Sequence, residues 1–218
     1  MSVGVMLGQL AYAFINTLIV FFLTLIGSLP LGLVVYFLKK SRFWIIRKLT
    51  EFYISVMRGT PLMLQLMVVY FVPGLVLGIK TPANWRMIAT ITAFIINYAA
   101  YFAEIYRGGI ESIPVGQYEA AEVLGYSKPK TFFKIILPQM IKRVLPPTTN
   151  EVITLVKDTS LSSTLGVVEM FTKAKQIAVS PNSPGMLTFV AAAVFYYVFN
   201  YLVAFVMKRL EKALDYYK

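Results

Sequence analysis

The chain has 218 residues, of which 58% are hydrophobic and only 14% charged. Soluble domains carry roughly a quarter charged residues, and disordered chains need low hydrophobicity, so both classes are excluded. There is no Cys and no His. Disulfides, thiolate metal sites, cysteine nucleophiles and the commonest general base are therefore absent too. Twenty-one Lys and Arg against 10 Asp and Glu give a net charge of +11. In a soluble protein this excess suggests nucleic acid; in a chain this apolar it is read by position, because basic residues mark the cytoplasmic side of membrane proteins.

Residues 1–38 carry no charge. This stretch is too long and too uniformly apolar for a cleavable signal peptide and lacks its charged start. Gly27, Ser28 and Gly32 flank Pro30 within it, which predicts a kink and close helix packing. Lys39, Lys40, Arg42, Arg47 and Lys48 follow. Two further charge-free windows, 59–79 and 87–103, are separated by a short turn with Pro82. A second basic cluster (Arg107, Lys128, Lys130, Lys134, Lys142, Arg143) and a last charge-free window, 176–207, come next, and Lys208, Arg209, Lys212 and Lys218 close the chain. A spanning helix needs about 20 apolar residues. If all three basic clusters are cytoplasmic, each pair must be separated by an even number of crossings. Window 176–207 holds only one, so a fifth span is predicted between 144 and about 160, despite Glu151, Lys157 and Asp158. The segment 161–178 reads as a short amphipathic or re-entrant helix on the outer side, and the breaker cluster from Ser180 to Gly185 precedes the last span. The expectation is an all-α integral membrane protein: one domain over 1–218, five transmembrane helices, N-terminus outside and C-terminus cytoplasmic.

The long polar loop 107–143 is the most structured of the connections. Pro114 suits a first helical turn, 117–124 is a good helical run, and Gly125 supplies a left-handed residue that ends it. Ser127 is placed to cap a second helix, with Pro129 in its first turn. Phe132, Phe133, Ile135 and Ile136 give that helix an apolar face, and Pro138 is expected to interrupt it. Ala120 and Ala121 are small enough for a partner to approach closely, and Glu119 and Glu122 can pair with its basic groups.

The run Glu119-Ala-Ala-Glu-Val-Leu-Gly125, followed by Phe132, Ile135 and Leu137-Pro138, resembles the EAA loop of ABC importer permeases. The stretches starting at Arg58-Gly-Thr-Pro61, Tyr101-Phe-Ala-Glu104 and Lys157-Asp-Thr-Ser160 are similar to signatures of the polar amino-acid subfamily. The resemblance covers essentially the whole chain. It implies the type I ABC importer permease fold, alternating access, and a bacterial inner-membrane location. It implies also that Tyr118, Glu119, Ala120, Ala121, Glu122 and Gly125 form a coupling helix docked on an ATPase dimer. The expected assembly adds a second permease copy or a paralogue, a solute-binding protein and an amino-acid substrate, with no nucleic acid. No Gly-Lys-Ser/Thr run occurs, so the chain lacks a standard phosphate cradle and needs no cofactor; ATP and Mg are expected on the partner.

Polar residues inside the predicted spans are the pathway candidates. Asn97, Tyr101 and Glu104 share one face of their helix, as do Glu151, Thr154 and Asp158. Glu151 suits a substrate ammonium or cationic side chain, Asn97 can bond either polar end, and Tyr98 and Tyr101 can cover the aliphatic part. Thr60 and Gln65 lie at the start of the second span. Glu104 is better read as an ion pair with Arg107, and Asn16 and Asn200 as interhelical hydrogen bonds. Lys157 and Asp158 either neutralise a neighbouring helix or form an outer gate. Competing classes are a membrane-embedded enzyme and an ATP-independent transporter; against the first, there is no His or Cys and no Ser/Lys pair at helical spacing stands out, and against the second, no internal repeat is visible.

Overall fold

The computed structural model describes residues 1–181 and 184–214. Asn182 and Ser183 of the breaker cluster, and Lys218 of the last basic cluster, lie outside the described residues. Among those described, every regular element is helical.

Helix α1 (Val3–Lys39) runs unbroken through Pro30 and packs along α4 (Trp85–Glu111). The small residues predicted to permit this contact do so. A Cβ on Gly32 would stand 2.7 Å from Phe102 Cβ and 3.1 Å from the Ala99 carbonyl. Ser28 is fully buried. Between these helices lie α2 (Trp44–Gly59) and α3 (Leu62–Phe71), the latter prolonged by a π-turn over Val72–Val76. The two are bent by 114° at Thr60-Pro61. Residues before proline avoid the α region, and Thr60 is extended at φ −120°, ψ 152°. The charge-free window 59–79 therefore yields only the helical stretch from Leu62 to Val76, about 22 Å long at 1.5 Å per residue. It is long and apolar enough to cross a bilayer only when joined to α2, a helix hidden in the sequence by its charged residues.

Beyond α4 come α5 (Val115–Val123), α6 (Lys128–Thr131) and α7 (Leu137–Asp158). Pro138 was expected to interrupt the segment, but α6 continues into α7 through a π-turn over Phe132–Ile136. A proline ring clashes with the carbonyl four residues earlier, and a widened turn is a common site of relief. Ser127 stands at the N-cap of α6 but its hydroxyl makes no capping bond. A 3₁₀ turn (Thr159–Leu165) leads to α8 (Met170–Ala178), where a short amphipathic helix was expected. Last comes α9 (Met186–Ala213), entered through Gly185 at φ +59°.

Three helices (α1, α4 and α9) are individually long and apolar enough to cross a membrane, and the bent α2–α3 pair counts as a fourth when taken as one span. Helix α7 is not among them, because Lys142, Arg143, Glu151, Lys157 and Asp158 fall within it. The main core joins Val20 and Phe21 of α1, Leu66 of α3, Phe94, Tyr98 and Phe102 of α4, and Leu155 and Val156 of α7. At the end of the bundle that carries α5, Glu104 binds Lys39 and Arg107, with Arg58 at 3.7 Å. Glu111 binds Arg107 and Lys40 there, and its hydrogen bond holds the Lys40 ammonium above the usual lysine range. The ion-pair reading of Glu104 is thus the one its surroundings support.

Candidate substrate cavity and coupling loop

The break between α2 and α3 organises the polar centre of the molecule. Pro61 has no N–H, so the Met57 carbonyl four residues earlier loses its helical donor. Two amides replace it. Gln65 Nε2 donates to Met57 O at 3.0 Å, and also to Thr60 O at 3.1 Å and Thr60 Oγ1 at 2.8 Å. Asn97 Nδ2 donates to Met57 O at 3.0 Å and to Gln65 Oε1 at 2.8 Å. Asn97 is 4% exposed. The structure therefore places Asn97 and Gln65 in a buried clasp that fixes the bend.

A cavity of about 580 Å³ opens beside this clasp, bounded by α2, α4 and α7. Tyr101 and Glu151, two of the sequence candidates, both line it. Arg58 enters from the end of α2 and lies over the Tyr101 ring, 5.5 Å from its centroid. Arg107 and Arg143 complete its basic wall. Glu151 is half-buried and forms no ion pair among the described residues. Thr154 is half-buried one turn further along α7. Asp158 accepts a 2.8 Å hydrogen bond from the Tyr98 hydroxyl, away from the residues that line the cavity. Of the two predicted polar stripes, Tyr101, Glu104 and Glu151 line the cavity, Asn97 belongs to the clasp, and Asp158 bonds Tyr98 between helices. The three arginines were not singled out as cavity residues from sequence, because each belongs to a different helix; Arg58 drew notice only as part of a motif, Arg107 as the partner of Glu104, and Arg143 as one of a basic cluster.

The loop beyond α4 is held rigidly against the bundle. Ile113, Ile136, Met140 and Val144 form a separate small core, and Arg143 Nη1 donates to Ser112 O at 2.8 Å. Helix α5 ends in a Schellman motif: Tyr126 N donates to Ala121 O and Gly125 N to Glu122 O, each at 2.9 Å, with Gly125 at φ +73°. Ala121 is buried, at 1% exposed, whereas Tyr118, Glu119, Ala120 and Glu122 are exposed. So are Val115, Val123 and Leu124, and Val123 is 88% exposed. A 400 Å³ hollow between Tyr118, Glu122, Tyr126 and Phe132 flanks them.

This arrangement, a cavity within a helical bundle and a rigid hairpin presented at one end, has relatives. Residues 28–216 match the family model described as "binding-protein-dependent transport system inner membrane component". The chain belongs to this family. As a permease it is 35% identical over 196 residues to the glutamine transport system permease protein GlnP of Escherichia coli, spanning 90% of this chain and 88% of that one. It is 33% identical to the L-cystine transport system permease protein TcyB of Bacillus subtilis, over 89% and 82% of the two chains. Among solved structures, the crystal structure of an amino acid ABC transporter with histidines superposes with a TM-score of 0.84 at 30% identity, covering 94% of each chain. The MetNI methionine transporter, at 18% identity and a TM-score of 0.71, shares the fold. The fold is that of type I ABC permeases, and the permease is a multi-pass protein of the bacterial inner membrane.

Proposed function

We propose that this permease carries polar amino acids inward through alternating access, driven by ATP and Mg bound on a separate ATPase dimer. The chain crosses the bilayer five times, with the N-terminus outside and α5 and the C-terminus in the cytoplasm. The charge-laden α7 is the fifth crossing, tolerated because its polar face lines the cavity and packs against α4. Two permease copies, identical or paralogous, enclose the pathway, and a solute-binding protein delivers substrate at the outer face. Glu151 and Tyr101 contact the substrate, with Thr154 beside them; Glu151 receives its ammonium or a cationic side chain, which suits a basic amino acid. Asn97, Tyr98 and Asp158 hold the helices around that site. The substrates named for the relatives support the amino-acid class.

The observation that carries this reading is the coupling helix α5. It is rigidly anchored, yet it exposes Val115, Val123 and Leu124 to solvent. Such a patch on a braced helix fits insertion into a partner. Here Tyr118, Glu119, Ala120 and Glu122 face the ATPase, while Ala121 and Gly125 set the helix position.

Gly125 tests it. A Cβ there would meet nothing within 4 Å, so only its backbone constrains the residue. Gly125→Val forces a β-branched residue to positive φ, whereas Gly125→Asn tolerates that conformation. ATPase co-purification and substrate-stimulated hydrolysis should be lost in the Val variant and largely kept in the Asn variant. Intact, stimulated complexes with Gly125→Val would sink the coupling assignment.

A further inference from the structure

We infer that α2 lies along the membrane boundary at the α5 end and seats anionic phospholipid there, its apolar face in the acyl region and its cations on the headgroup phosphates. Naming that boundary the cytoplasmic leaflet rests on the proposed orientation; the seat itself does not. Helix α2 turns through 114° into α3, so it runs across the bundle and not along it. Both of its ends meet the ion-pair network of the α5 end. Arg58, in its last turn, stands 3.7 Å from Glu104, which also binds Lys39. Its first residue, Trp44, follows shortly after Lys40, which binds Glu111 at 2.9 Å. Between these ends Ile54 is buried against Val35 and Tyr36 of α1 and Ala100 and Ala103 of α4. The helix is thus pinned crosswise at the level of Lys39 and Glu104.

Its circumference divides into three sides. Thr50 and Ile54 are buried against the bundle. Ile45, Leu49 and Phe52, at i, i+4 and i+7, share a second side and are 65%, 63% and 68% exposed. Trp44 at the start is 63% exposed. The third side carries Arg47, Lys48, Glu51 and Arg58. Such a helix suits neither water nor hydrocarbon alone, but it matches the plane where they meet, the depth at which Trp is favoured. The charge selects the lipid. Over residues 41–57, Arg42, Arg47 and Lys48 stand against one acid, Glu51, which Lys48 pairs at 2.7 Å. Arg42 and Arg47 join no ion pair among the described residues, and Arg42 lies over the Phe43 ring, 5.1 Å from its centroid. Basic residues on a helix at the membrane surface attract anionic headgroups. The exposed apolar face of α1 has no such rim, since no charge precedes Lys39. A second copy of the chain fits the α2 face less well. It would have to desolvate Lys48 beside Leu49, whereas lipid leaves the ammonium in the headgroup layer. The seat also adjoins the cavity, because the same helix holds Arg58 over Tyr101 and the clasped Met57 carbonyl.

The chain has two tryptophans, Trp44 and Trp85, so Trp85→Phe leaves Trp44 as the sole indole. The test places this full-length permease in nanodiscs of phosphatidylcholine and phosphatidylglycerol in equal amounts, with bromine on the acyl chains of one lipid or the other to quench fluorescence on contact. Total charge is then the same in both discs. Bromine on phosphatidylglycerol should quench Trp44 at least about twofold more than bromine on phosphatidylcholine. Raising salt from about 50 to about 300 mM should narrow that ratio. Replacing Arg42, Arg47 and Lys48 together by Gln should bring it close to one. The difference between wild type and Trp44→Phe gives the same ratio with Trp85 left in place. Equal quenching by the two lipids before any of these changes would overturn the inference. So would an absence of quenching by either, which would show that protein covers this face. The import reading is tested apart, by substrate-stimulated hydrolysis in the ATPase complex, and its failure would leave the quenching ratio as it stands.

Discussion

Pro61 removes one backbone donor, and side chains from two other helices are arranged around the loss. Met57 O is served by Gln65 and Asn97 in place of the missing N–H. Without Asn97 the buried Gln65 Oε1 loses its donor, while Met57 O keeps Gln65 Nε2; a buried acceptor left unpaired costs about 1–3 kcal/mol. Asn97→Leu should therefore lower the unfolding temperature of the detergent-solubilised permease by several degrees. Glu151→Gln should leave that temperature within about a degree, since the carboxylate has no ion-pair partner to lose, and should instead change uptake affinity or selectivity across a panel of amino acids. Unchanged uptake kinetics would remove Glu151 from the pathway. In the sequence these two residues look alike: each is a polar group within a predicted span. What separates them is a carbonyl 40 residues from Asn97, freed by a proline on another helix. Only the folded chain puts that vacancy beside one and an open cavity beside the other.

Periodicity and charge-free windows captured the long elements well, because α1, α4 and α9 bury or expose mostly apolar surface along their whole length. They missed α2, whose amphipathic run carries Arg47, Lys48, Glu51 and Arg58, and they stopped a helix at Pro138 that a π-turn carries through. Both misses concern local strain and partial burial, which composition does not record. The small-residue stripe on α1 was legible, but its glycines are not equivalent. A Cβ on Gly32 would press on Phe102 Cβ and the backbone of α4, neither of which can swing away, whereas one on Gly27 would meet only the Ile95 side chain, with Cδ1 at 2.5 Å, Cγ1 at 2.9 Å and Cγ2 at 3.3 Å. Overpacking a fixed contact costs about 1–3 kcal/mol. Gly32→Ala should consequently lower thermal stability clearly, and Gly27→Ala less, because the Ile95 side chain can give way where the α4 backbone cannot. Equal losses at the two sites would show that α1 and α4 slide past one another and do not hold a fixed register.

Across the whole molecule, charge sorts by end. The α5 end carries acids and bases in paired networks, and the opposite end carries bases with its two acids, Asp158 and Glu169, turned inward. Positive charge alone therefore does not separate the two sides as cleanly as the three basic clusters suggest, since five of the 21 Lys and Arg (Lys80, Arg86, Lys157, Lys173 and Lys175) sit at the proposed outer end. The orientation rests instead on the density of Lys and Arg around α5, α6 and the ends of α1 and α9. The absence of Cys makes this directly testable, because single cysteines can be labelled without background. Ser127 lies in the exposed turn between α5 and α6, and Ser180 is exposed just after α8. With a membrane-impermeant maleimide, Ser180→Cys should react in spheroplasts and Ser127→Cys only after permeabilisation. The same pattern requires an odd number of crossings between the two positions and α7 as one of them, since no other helix links α6 to α8. Labelling of both from one side would place α7 as a surface segment and reduce the bundle to four crossings.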